Sequence, residues 1–284
     1  MIDYATTLGY ASLLDQLSKH ALAELDRLFG AVSDFSDREK VEAFMDLMPE
    51  LGNKFGAASS EVSAEFFDEL NQIQEVKRPI SPESFVEMPP SYWHSLVGWG
   101  TSDGFADWAK IAGGLTRRLS EMSADTMIGN AELQGGLSAQ RVPRIGCCAF
   151  CSMLASRGAV YTPGSAGGVV GRGRPIGSHK QAKGIRPRGA QRMGEDYHDN
   201  CRCRVVTVTA NNSVQLSKEA DRHFELYEAA RDKVNSGLEL NVIQSRVGGS
   251  LKNEYEWIDA SGESRSAKDK TNEIVKYMRH KLGA

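Results

Sequence analysis

YHDNCRCRVVTVTA, residues Tyr197 to Ala210, changes character half-way. Its first seven positions hold His198, Cys201 and Cys203, while its second half alternates β-branched residues and reads as a strand. The predicted arrangement is a Cys/His cluster on the turn that enters a strand. The other three cysteines, Cys147, Cys148 and Cys151, all lie in RIGCCAFCSMLASRGAVY. Cys148-x2-Cys151 has the spacing with which a tight turn aims two thiolates at one tetrahedral ion, and His198-x2-Cys201 repeats that bite. Between Cys151 and the next segment, SMLASRG reads as a short helix ended by Gly158, and AVYT as a strand. Two such knuckles closed by one zinc would staple a small domain whose own core is modest.

Six side chains compete for the four positions of a structural zinc. The expected set is Cys148, Cys151, His198 and Cys201, with Cys203 as the substitute for His198 or Cys201. Cys203 could instead point into the sheet as a small buried hydrophobe. Cys147 adjoins a cysteine that already has its x2 partner and reads as a core residue. A reading without metal also stands, in which the cysteines are buried or form a redox pair.

The 284 residues, 40% of them hydrophobic, suffice for one large or two modest domains. No stretch approaches the roughly 18 apolar residues of a membrane span. The start, MIDYATTLGYASLLD, has an aspartate at position 3 and no basic lead into an apolar run, so no secretory signal is expected. A reducing compartment is therefore expected, where cysteines bind metal or sit in cores more often than they form disulfides.

Residues 1–135 read as a helical domain. In YASLLDQLSKHALAELDRLFGAV the leucines at 13, 14, 17, 22, 25 and 28 recur near the helical period. A second run opens at SDREKVEAFMDLM, where Ser36 or Asp37 can cap and Glu39 can complete a capping box with Ser36. In the following PELGNKFGAASSEVSAEFFDELNQIQ, small residues on a helical period would let another helix approach closely. KRPISPESFVEMPPSYW, with four prolines, reads as a loop or crossover. TSDGFADWAKIAGGLTRRLSEMSADTMIGNAELQ resumes helix, in two pieces because of Gly113 and Gly114. His20 and His94 lack metal-ligand spacing partners and read as ordinary structural or surface residues.

Net charge is −3, yet the charges are unevenly spread. Residues 141–205 hold 12 Lys+Arg against 3 Asp+Glu, residues 206–284 balance at 12 each, and the first 140 carry a net −12. The basic excess gathers in GVVGRGRPIGSHKQAKGIRPRGAQRMGED, an insertion of about residues 162–194 too poor in large apolar residues to fold alone. It contains no G-x4-G-K-[ST] phosphate loop. Arg172, Arg174, Lys180, Lys183, Arg186, Arg188 and Arg192 are its candidate contacts to DNA phosphates, with salt-dependent binding and no sequence preference. It lacks the aromatic platforms of single-strand binders. The bland alternative is a solvated arginine-rich loop beside an acidic helical surface.

The remainder, residues 211–284, reads as a helical C-terminal extension. SKEADRHFELYEAARDKVNSG and SAKDKTNEIVKYMRHKLGA are helical runs around a more extended LELNVIQSRVGGSLKNEYEWI, with Ser217 as N-cap and Gly237 as stop of the first. His223 and His280, set among charges, are expected to face solvent.

CAFCSMLASRG followed by YHDNCRC resembles the MuF-like family of bacteriophage minor head proteins, in the form found in phages of actinobacteria. The helical stretches LMPELGNKFGAASSEVSAEFFDELN and DTMIGNAELQ are similar to it as well, so that the likeness spans roughly residues 40–210. The family's cluster falls on Cys148, Cys151, His198, Cys201 and Cys203. The resemblance implies a low-copy structural virion component inside the capsid near the portal, assembled in the host cytoplasm. Its partners would be the portal protein, the major capsid protein and packaged double-stranded DNA, and not a membrane.

Enzymatic alternatives are weaker. Glu254-x-Glu256 is similar to the glutamate pair of ADP-ribosyltransferases, a spacing common by chance. An HNH-type nuclease needs a free general-base histidine beside its metal, and His198 as a zinc ligand would not be free. His179 would have to serve from within the insertion. A capsid maturation protease lacks any G-x-S-x-G elbow or credible serine and histidine constellation. The expectation is an α+β, predominantly helical protein without catalysis of its own. It would have an N-terminal helical domain (1–135), a small zinc-stapled α/β central unit (136–210) and a helical tail (211–284), with structural Zn²⁺ as its one cofactor.

Overall fold

A computed structural model describes residues 2, 4–84, 88–102, 108–143, 149–156, 159, 204–209, 218–247, 250–265 and 267–282. The fold is α+β and predominantly helical. Two compact units share it, one of residues 1–144 and 158–215, the other of 145–157 and 216–284.

In the first unit four helices precede a two-stranded ribbon: α1 (Tyr4–Ala31), α2 (Asp37–Ile73), α3 (Pro90–Gly100), α4 (Ala109–Gln134), β1 (Leu137–Val142) and β2 (Arg204–Thr209). On α1 the buried positions are Thr7, Tyr10, Leu14, Ser18, Ala21 and Leu25, spaced by three and four. Leu13 falls beside that stripe and is 52% exposed, although its neighbour Leu14 is buried. α2 starts as the sequence predicts. Ser36 Oγ accepts from the Glu39 N–H, and the Glu39 carboxylate accepts from the Ser36 N–H at 2.8 Å. α2 then runs through Pro49, joining the two predicted runs into one helix.

The small residues of α2 do admit close neighbours. A Cβ on Gly52 would stand 2.4 Å from the indole of Trp93 in α3, and one on Gly56 would stand 2.3 Å from Met122 in α4. Trp93 is fully buried in the core with Leu25, Phe44, Met48, Leu115 and Leu119. The helix carrying it, α3, is not foreseen by the sequence reading, because Pro89 and Pro90 look like breakers. Pro90 occupies the first turn, where no helical N–H is needed. The predicted break of α4 at Gly113 and Gly114 also does not occur. α4 is continuous, and Gly114 admits Leu96, whose Cδ1 would lie 2.2 Å from an added Cβ. Close packing against α3 outweighs the low helix propensity of the pair.

The proline-rich link from α2 to α3 is held by amide side chains. Asn53 accepts from the Met88 N–H at 3.1 Å and donates to the Met88 carbonyl at 3.0 Å. Asn130 does the same for Glu83, both bonds at 2.8 Å. Each amide thus satisfies one residue's donor and acceptor, as a β partner would.

The second unit holds α5 (Ala149–Ala155), α6 (Lys218–Asn235), β3 (Leu238–Val247), β4 (Ser250–Asp259), the two-residue β5 (Ser264–Arg265) and α7 (Ala267–Leu282). Ala149 and Met153 of α5 pack with Ala230 of α6 and with Ile274 and Met278 of α7. The tail is therefore not wholly helical: the extended segment forms an antiparallel hairpin, Leu238 opposite Asp259 through Val247 opposite Ser250. His223, expected at the surface, is only 3% exposed. It stands four, seven and eleven residues before Tyr227, Ala230 and Val234 on the apolar stripe of α6, and it is the adjacent Phe224 that is exposed. His20 and His280 are exposed and His94 is half-buried.

Candidate functional site

Of the predicted metal ligands, Cys151 lies on α5, only 3% exposed. Cys148, His198, Cys201 and Cys203 lie outside the described residues, as do Cys147, His179, Ser217 and the whole set Arg172, Arg174, Lys180, Lys183, Arg186, Arg188 and Arg192. The AVYT segment lies outside them too, apart from Ala159. Among the described residues, no three His, Cys, Asp or Glu side chains converge as a metal site would require. The donor set itself, four thiolates and an imidazole, is of the type that suits tetrahedral zinc. A nearly enclosed Cys151 suits a closed structural site better than a reactive one.

The strand predicted after the second knuckle is β2, which begins at Arg204, one residue after Cys203. It pairs antiparallel with β1, Val142 opposite Arg204 through Leu137 opposite Thr209. Its start is fixed by Arg204, whose side chain is 4% exposed. The guanidinium donates from Nη2 to Asp15 of α1 at 3.0 Å and from Nη1 to Ser120 of α4 at 3.1 Å. At its far end, Gln74 beyond α2 donates to the Thr207 carbonyl at 3.1 Å and accepts from the Thr209 N–H at 2.8 Å. Val205, Val206 and Val208 are buried between these holds. A cation holds the first residue of β2 and an amide two of its last three, so the strand is anchored to the helices.

Beside Arg204 lies a buried hydroxyl cluster. Tyr10 Oη is 2.9 Å from Ser63 Oγ and 2.8 Å from Ser123 Oγ, and the two serine oxygens are 2.9 Å apart. The Tyr10 ring stacks on Phe66 at 4.2 Å between centroids. Burial pushes the Tyr10 hydroxyl above its usual pKa, against the opposing effects of Ser123, Ser63 and the Arg204 charge. It stays neutral at physiological pH and ties α1, α2 and α4 together. A second polar group joins α3 and α4. Buried Glu121 pairs with Arg117 at 2.9 Å and accepts from the Tyr92 hydroxyl at 3.1 Å, while Arg118 lies 3.7 Å over the Tyr92 ring. Burial and then the Glu121 charge raise the Tyr92 pKa.

Neither Arg204, Gln74 nor the hydroxyl cluster is anticipated by the sequence reading. The trace they leave in sequence is the recurrence of Ser and Asn on the buried faces of α2 and α4. Glu254 and Glu256 occupy β4 opposite Ile243 and Asn241.

The described residues define a helical scaffold with a two-stranded ribbon whose strands flank the Cys/His segment in sequence, and the chain's class is that of a bacteriophage protein. The model of the VG15 protein family matches residues 1–230, and the chain belongs to that family. No curated protein and no solved structure matches it. Among the described residues, no helix is long and apolar enough to cross a membrane.

Proposed function

We propose that the chain is a minor structural protein of the phage head, of MuF-like type, located at the capsid interior near the portal and acting in head assembly. The observation that carries this reading is the Cys148-x2-Cys151 and His198-x2-Cys201-x-Cys203 pattern within a chain of a phage family. Zinc held by four of Cys148, Cys151, His198, Cys201 and Cys203 has a structural role, closing the base of the basic insertion. Arg172, Arg174, Lys180, Lys183, Arg186, Arg188 and Arg192 then face packaged DNA, while the acidic helices face the portal and capsid proteins. The chain performs no catalysis of its own.

The test is quantitative mass spectrometry of density-purified, nuclease-treated particles, with copies counted against the major capsid protein. A few to a few dozen copies per particle support the reading. Absence from mature particles, with the chain present in procapsids or lysate, contradicts it. A DNA cleavage assay with Mg²⁺ or Zn²⁺, with His198→Ala and His179→Ala as controls, should then be run for the nuclease alternative.

A further inference from the structure

Among the described residues, no strand lies along part of one backbone edge of the hairpin. β4 pairs with β3 along its whole length, whereas β5 covers only Trp257 and Ile258. The Asp259 N–H donates to the Glu263 carbonyl, on the β5 side. In an antiparallel ladder, successive residues direct their N–H and C=O to alternate sides, so Leu251, Asn253 and Tyr255 direct theirs the same way as Asp259. Among the described strands none pairs with β4 there. A two-stranded ribbon is marginally stable in water, and an open edge is a template for another strand.

We propose that residues 250–256 of β4 pair antiparallel with the same residues of a second copy of the chain, about a two-fold axis through Asn253. The segment, SLKNEYE, pairs opposite charges without a like-charge pair in this register alone. Lys252 falls opposite Glu254 of the second copy, Glu254 opposite its Lys252, and Leu251 opposite its Tyr255. An axis one residue later would set Glu254 against Glu254, and one residue earlier Lys252 against Lys252. The two-fold lies perpendicular to the sheet, so opposed residues share a face, as cross-strand pairs must. At Asn253 each copy's N–H meets the other's carbonyl, in keeping with the alternation set by Asp259. The length also fits, since the second strand would end where β5 begins.

The full-length chain is therefore expected to dimerise reversibly, as measured by sedimentation velocity across a range of concentrations. Lys252→Glu alone, or Glu254→Lys alone, turns two opposite-charge pairs into like-charge pairs and weakens the dimer about tenfold or more. The double variant Lys252→Glu/Glu254→Lys restores it. Asn253→Cys gives a reading without a charge change: hydrogen-bonded partners have Cα atoms about 5.5 Å apart, within disulfide range, so mild oxidation yields a linked dimer absent from the unsubstituted chain. Thermal melts of each variant distinguish lost pairing from lost fold. A chain monomeric at every concentration, or a dimer indifferent to both single reversals, overturns the proposal; Lys252 would then serve to keep the edge from pairing.

Discussion

Arg204 and Asp15 lie 189 residues apart in the chain and meet with 3.0 Å between guanidinium and carboxylate. Their exposures differ, 4% for Arg204 and 27% for Asp15. Removing the carboxylate strands a cation in the interior, whereas removing the cation leaves an anion that water can reach. Asp15→Ala should therefore cost more than Arg204→Met, with the first at about 2–4 kcal/mol in urea denaturation. Equal costs would mean that the pair behaves as a surface contact.

The glycines of α1 and α2 should respond in opposite directions to the same change. Gly9 has nothing within 4 Å of an added Cβ, so Gly9→Ala should stabilise by about 0.5–1 kcal/mol through helix propensity. Gly52→Ala drives a methyl into the rigid indole of Trp93 and should destabilise by about 1–3 kcal/mol. Gly56→Ala meets the flexible end of Met122 and should cost less than Gly52→Ala. Thermal melts of the three variants check the order.

Tyr10→Phe should lose about 1–2 kcal/mol at neutral pH, because its hydroxyl bonds two buried serines. The raised pKa adds a pH signature. The stabilisation is complete below the ordinary tyrosine value of about 10 and is lost as pH rises through the folded-state value. The alkaline fall in stability of the natural chain should thus be shallower in Tyr10→Phe; a parallel fall in both would separate it from this hydroxyl.

In the tail, Asp259 accepts from the Ser261 hydroxyl, Arg265, and the N–H groups of Ser261 and Glu263. These bonds, Ser261 first and Arg265 next, hold its carboxyl well below the usual aspartate range. Their stabilisation is full above about pH 4 and is lost as pH falls through the depressed folded value. Asp259→Asn should lower stability at neutral pH, and its difference from the natural chain should shrink on acidification, read by pH-dependent circular dichroism melts.

If zinc closes the cluster, Cys148→Ser and Cys201→Ser should each lower both bound zinc, by elemental analysis, and the melting temperature. Chelation should reproduce the loss in the natural chain and not in the variants. Unchanged metal content and stability in both variants would remove structural zinc from this protein.

Legibility followed the range of the forces involved. Local signals read directly: the Ser36–Glu39 capping box, the alternation that makes β2, and the small residues of α2 are each decided within a few positions. Failures arose where distant packing decides. Gly114 looks like a helix breaker until Leu96 is seen against it. Pro89 and Pro90 look like loop until Trp93 is seen in the core. β1 has little pattern of its own and takes its place from β2. The charged neighbours of His223 point it to solvent, yet its position on the period of α6 outweighs them. At the candidate site the ligand spacing is visible in sequence, but the hold exerted by Arg204 and Gln74 depends on residues far away in the chain.

The pairing of Val142 with Arg204 makes a clasp of β1 and β2, because the chain leaves and re-enters the ribbon at the same rung. Once such a clasp is shut, doubling the length of what it encloses costs only about 0.6 kcal/mol in closure entropy. The basic insertion of about residues 162–194, which includes neither α5 nor the candidate ligands, can accordingly be lengthened, shortened or exchanged while the helices keep their fold. Variation in this protein should therefore concentrate there, as cargo carried on a handle that keeps its own shape.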